Sequence, residues 1–138
     1  MKEKLASEQP GTPAVLTDFP RYLSKADGYY TAMKEALRAS RWNSAGLNAI
    51  EASLHYCDAL LIYLYEVKSA YPARENITRL LLNYVKRADT EENVFRVRSI
   101  LNVKKMTEEE DKPISRSQAL FLTEEVEKIR EWCKSLLP

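Results

Sequence analysis

The stretch from Asn43 to Lys68 constrains the fold more than any other part of the chain. Leu47, Ile50, Leu54, Cys57, Leu61 and Leu64 recur in steps of three and four, and Ala49, Ser53, Tyr56, Leu60, Tyr63 and Val67 form a second stripe beside them. At about 100° per residue the two stripes cover more than half the circumference of a helix. Such a helix has to be covered from several sides, which places it at the centre of a bundle. Its remaining face carries Asn48, Glu51, His55, Asp58 and Glu66.

The neighbours follow from the same periodicity. Phe19, Tyr22, Leu23, Ala26, Tyr29, Tyr30, Met33 and Leu37 predict a first helix to about Ser40, with Thr17 or Asp18 as cap and Pro20 in the first turn. Pro72 suits the first turn of a third helix containing Ile77, Leu80, Leu81, Tyr84 and Val85, which ends near Lys86 and Arg87. Asp89 or Thr90 opens a fourth, with Val94, Val97, Ile100 and Leu101 inward and Val103 near its end. The charged KKMTEEEDKP segment and its Pro113 read as a loop. Ser115 and Gln118 form a capping box before Ala119, Leu122, Val126, Ile129, Cys133 and Leu136. Residues 1–16, with Pro10, Gly11 and Pro13, read as a tail, and 17–138 as a single domain. The expected fold is all-α: an antiparallel four-helix bundle with an additional short helix.

Composition removes several functions. The chain of 138 residues has 21 Lys and Arg against 20 Asp and Glu, so no global field draws it to nucleic acid or membrane. The longest apolar run, Ala59 to Tyr65, is far short of the roughly 18 residues a membrane span needs, and the start lacks a secretory apolar stretch. A cytoplasmic protein is expected. Three glycines leave no phosphate-binding Gly-rich loop, and one histidine leaves no multi-histidine zinc site within one chain. No cofactor is implied. Cys57 and Cys133 fall on apolar stripes and are expected reduced and buried.

Two groups of residues are candidates for function. Glu51, His55 and Asp58 fall on one side of the second helix, as an acid/base pair, half a metal site, or a polar stripe packed against another helix or a dimer partner, with Asp58 hydrogen-bonded. The last reading is preferred, because metal sites in bundles draw ligands from several helices. Arg74, Asn76 and Arg79 at the start of the third helix could bind phosphate or nucleic acid, or be surface charge answered by Glu75. The eight tyrosines, together with Trp42 and Trp132, read as packing residues. The wide apolar arc of the second helix suggests a homodimer.

Several segments carry a family resemblance: YLSKADGYYTAMKEAL, WNSAGLNAIEASLHYCDALL with its Asp before an apolar run, ENITRLL, and SILNVKKMTEEEDKPISRSQALFLTEEVEKIREWCKSLL. Over Phe19 to Leu137 the chain resembles the HEPN family (higher eukaryotes and prokaryotes nucleotide-binding). The resemblance implies a small helical bundle linked to RNA cleavage and to toxin and antitoxin pairs, with a nucleotidyltransferase-type or antitoxin-like protein partner. Family ribonucleases cleave RNA without metal through an Arg followed after four to six residues by a His, across a dimer. Here Asn76 stands where the His would be, and Ser69, Ala70 or Tyr71 where the Arg would be. An amide does not titrate near neutral pH as imidazole does. The expectation is therefore a non-catalytic, dimeric, HEPN-like binding module. Its alternative is a divergent ribonuclease using Arg74, Asn76, Arg79 and His55.

Overall fold

The computed structural model describes residues 11–70 and 74–138. Among them are five helices: α1 (Phe19–Arg38), α2 (Trp42–Tyr65), α3 (Ile77–Tyr84), α4 (Thr90–Glu110) and α5 (Arg116–Leu136). Pro72, expected in the first turn of the third helix, lies outside the described residues. No helix among them is long and apolar enough to cross a membrane.

Helix α2 is the centre, and the other helices are laid over it. Every residue from Ala52 to Ile62 is buried. Tyr29 meets His55 and Phe19 meets Tyr63, so α1 runs antiparallel to α2. On its other flank Ile114 approaches Gly46 near the start of α2, and Arg130 reaches Tyr56 further along, so α5 runs parallel to it. The Arg96–Glu125 ion pair at 3.0 Å and the Trp132 indole donating to Asp89 at 3.1 Å set α4 antiparallel to α5. Short α3 closes the remaining side with Ile77, Leu80 and Leu81. Full burial of each large aliphatic side chain contributes about 1.5–3 kcal/mol. The apolar arc that suggested a dimer is thus covered by the chain's own helices except at Leu47, which stays exposed.

Three helix ends turn through residues in the left-handed region without glycine: Ser40, Glu66 and Asp111. Helix α5 begins on the expected capping box, with Ser115 Oγ accepting from the Gln118 N–H at 3.2 Å and Gln118 Oε1 accepting from the Ser115 N–H at 2.9 Å. Cys57 and Cys133 are free thiols in the core between α2 and α5, and the neighbouring sulfur and burial push the Cys57 thiol well up. That keeps it protonated and unreactive.

Three sequence expectations are corrected. The second helix stops at Tyr65 and not at about Lys68, because Glu66 turns left-handed and Val67 and Lys68 enter a strand. The fourth helix does not end at Val103 but continues through the charged segment to Glu110. Lys, Glu and Met favour helices, Lys104 and Glu108 pair at 3.1 Å one turn apart, and an exposed helix needs no apolar stripe. The presumed tail is also cut too late. Thr12–Pro13 (β1) pairs antiparallel with Val67–Lys68 (β2), with Thr12 opposite Lys68, and a single 3₁₀ turn (Leu16–Asp18) leads into α1. The Ala14 N–H donates to the Glu66 carbonyl at 2.9 Å and the Leu16 N–H to its carboxylate at 3.3 Å. These bonds, made across fifty residues or more, leave no hydrophobic period to read.

Candidate functional site

The polar face of α2 becomes one wall of a cavity of about 490 Å³. Glu51, His55 and Asp58 stand on that wall, Tyr22, Lys25 and Tyr29 come from α1, and Thr12 and Lys68 from the β-ribbon; Ser69 and Arg74 close it. Spacings of four and three put the α2 residues on one side, and the ribbon that follows α2 folds back over them.

Arg74 is the keystone of this arrangement. It is 8% exposed, and its backbone sits in the left-handed region at φ 63°. That conformation costs a residue with a side chain about 1–2 kcal/mol. Two groups hold it there. Its N–H donates to the Ala70 carbonyl at 2.8 Å, and its guanidinium meets carboxylates of α2 with Nη1 3.0 Å from Glu51 Oε1 and Nη2 3.7 Å from Asp58 Oδ2. Asp58 in turn accepts the Ser69 N–H at 2.7 Å and the Ser69 hydroxyl at 2.8 Å. Burial pushes the Asp58 carboxyl up, against the Ser69 bonds and Arg74, which favour its charge.

His55 lies inside the same cluster. Its Nδ1 is 2.8 Å from the Glu51 carbonyl oxygen, which only accepts, so Nδ1 carries the proton and donates. Arg74 Nη2 stands 3.5 Å from that same nitrogen, a contact between two donors. Nε2 is left as the lone-pair nitrogen of the neutral ring. Tyr29 and Tyr22 lie against the imidazole, with ring centres 5.0 and 6.0 Å away. Burial lowers the imidazole below its usual value, with Arg74 adding to the effect and the Glu51 carbonyl and two carboxylates opposing it. The unfolded chain therefore takes up its proton first, and this residue's contribution to stability is present above about pH 6.5 and falls away as pH drops through the window below it.

The two candidate groups inferred separately from the sequence are thus partly one group. The structure brings Arg74 to Glu51, His55 and Asp58 and separates it from Arg79, which is exposed on α3 and does not line the cavity. Asn76 is a fastener for the loop: its Oδ1 accepts the Ala70 N–H at 3.0 Å, and its Nδ2 is buried without a partner among the described residues. Arg74 is answered by α2 and not by Glu75. Among the described residues no group of three His, Cys, Asp and Glu side chains converges to hold a metal. Asp58 turns its oxygens to Ser69 and Arg74, which breaks up the only trio the sequence offered.

Sequence reasoning missed Lys25, Lys68, Ser69 and Thr12. Lys68 donates to the Tyr22 hydroxyl at 2.7 Å, a bond set by the ribbon, and Lys25 has no ion pair among the described residues. No residue spacing signals these. A second polar seam, between α1, α2 and α5, is structural: the Tyr56 hydroxyl donates to Asp27 and accepts from Arg130 Nε at 3.1 Å, while Lys134 pairs with Asp27 at 3.2 Å. Compared with known proteins, the chain matches no family model, no curated protein and no solved structure.

Proposed function

We propose that the chain is a non-catalytic, HEPN-like binding module of the cytoplasm, built as an antiparallel four-helix core with the short α3 appended. The observation that carries this reading is the occupation of Arg74. A metal-independent ribonuclease needs a cation free to meet the scissile phosphate, whereas this guanidinium is buried and answered by Glu51 and Asp58. Freeing it would leave two carboxylates beside it unpaired, at a cost of several kcal/mol. The module's partner is a protein, nucleotidyltransferase-type or antitoxin-like, or a nucleic acid.

Dimerisation is part of the proposal, and its support has moved. Exposed apolar side chains on α4 and α5, Phe95, Met106, Leu120 and Phe121, are the surface a second copy would use, in place of the arc of α2. Light scattering that gives a monomer at micromolar concentration removes this part.

One observation favours the divergent ribonuclease as a second reading: an Arg and a His meet here, Arg74 Nη2 and His55 Nδ1 at 3.5 Å, though they come from different segments. A cleavage assay separates the two. Purified chain is incubated with total RNA in EDTA, beside the Arg74→Ala/Arg79→Ala variant. Intact RNA with folded protein is the expected result. Cleavage by the wild type that disappears in the variant establishes the ribonuclease.

A further inference from the structure

We propose that the cavity between α1, α2 and the β-ribbon binds a small hydroxyl-bearing phosphate monoester, with Lys25 and Lys68 holding the phosphate. This goes beyond the binding-module reading and does not rest on it, since that reading concerns a macromolecular partner.

The charge on the cavity wall is the first argument. Three cations, Lys25, Lys68 and Arg74, face two carboxylates, Glu51 and Asp58, around a neutral imidazole. Arg74 takes both carboxylates for itself. The wall as a whole is therefore positive by one charge, and its unpaired cations are the two lysines, neither of which has a carboxylate within 4.0 Å among the described residues. Lys34, Lys104 and Lys134 are each paired with an acid; what sets Lys25 and Lys68 apart from the remaining lysines is that both line one cavity. Two ammonium groups from separate walls suit a dianion, and lysine binds phosphate as a point charge without needing a planar fork.

Placement is the second. The Tyr22 hydroxyl accepts from Lys68 Nζ at 2.7 Å, and the pairing of β2 with β1 fixes the backbone that carries it. Lys68 is thus positioned before any ligand arrives, which lowers the entropy lost on binding.

The body of the ligand follows from the rest of the wall. Nε2 of His55 has a lone pair and no proton, and the Glu51 carboxylate keeps one oxygen that Arg74 does not take, so the wall offers acceptors beside its cations. A bare anion has nothing to donate to them, whereas the hydroxyls of a phosphate ester do. Tyr22 and Tyr29, which line the cavity beside the imidazole, supply aromatic surface for its carbon frame. A volume of about 490 Å³ lies in the range of small-molecule sites and exceeds what one phosphate fills.

The test is isothermal titration calorimetry on the full chain in low salt with ribose 5-phosphate, ribose and a short single-stranded RNA. Ribose 5-phosphate should bind with a Kd below about 1 mM and ribose should give no heat, because the lysines supply most of the attraction. Lys25→Gln/Lys68→Gln should weaken ribose 5-phosphate tenfold or more, and Lys25→Gln alone, at an exposed position, several-fold. Lys112→Gln/Lys128→Gln, which removes the same charge elsewhere, should leave it unchanged; circular dichroism checks each variant's fold. Absence of binding by the wild type, equal loss in the control pair, or RNA binding that needs Lys25 and Lys68 without any monoester binding would each overturn the proposal. The last result would leave the binding-module reading intact.

Discussion

Replacing Asp58 by Ala should lower the unfolding free energy by about 3–5 kcal/mol, the largest loss expected from any single polar substitution in the chain. The carboxylate satisfies the Ser69 N–H and hydroxyl and shares Arg74 with Glu51. Its removal leaves a buried N–H without an acceptor and a buried guanidinium with one partner, and unfolding then releases both to water. For a domain of ordinary stability this is a large fraction of the total. Asp58→Asn keeps an oxygen for the Ser69 N–H and should cost much less. In Asp58→Ala/Arg74→Met, where the stranded charge is also gone, part of the loss should return. Urea denaturation measures all three. A change below about 0.5 kcal/mol for Asp58→Ala would mean a solvated surface carboxylate and no cluster.

The second large effect is steric. Gly46 lies in the first turns of α2, where alanine ordinarily gains about 1 kcal/mol over glycine. A Cβ at this position, however, would meet Ile114 Cδ1 and Cγ2 at 2.7 Å each and its Cβ at 3.2 Å. Both branches of the isoleucine are struck, so a change of rotamer exchanges one clash for another. Ile114 cannot retreat freely either, because its N–H donates to Asn43 Oδ1 at 2.8 Å. Overpacking of this kind costs about 1–3 kcal/mol, which outweighs the helical gain, and Gly46→Ala should destabilise by a net amount of about 1–2 kcal/mol. In an Ile114→Ala background both struck branches are absent, and the same substitution should become neutral or stabilising. That change of sign in the denaturation midpoint distinguishes a close approach of two segments from a general intolerance of α2.

How far the sequence could be read depended on the kind of interaction. Helix α5 was legible end to end, since Ser115 and Gln118 sit three residues apart and the apolar period that follows is local. The central position of α2 was legible for the same reason. Its consequence for assembly was not, because the width of an apolar arc says how much must be covered and not whether the same chain covers it. The end of α4 was obscured by charge: an exposed helix of Lys and Glu has the composition of a loop. At the candidate site the α2 stripe was visible as a spacing, and so was the cationic character of Arg74. Their meeting was not visible. It spans 23 residues between Glu51 and Arg74 and depends on a left-handed backbone at an arginine, which no local preference announces. Lys25 and Lys68 are ordinary lysines in the sequence and become a pair only through the ribbon.

His55, the only histidine of the chain, is locked as a neutral ring inside the Glu51–Asp58–Arg74 cluster. A long-range ¹H–¹⁵N spectrum of the imidazole, followed through a pH titration, reads this directly. The proton should be found on Nδ1, the bond to the Glu51 carbonyl being its cause, with a titration midpoint below the ordinary value of about 6.5. A ring protonated on Nε2 that titrates at or above 6.5 would show a solvated histidine and would contradict the cluster.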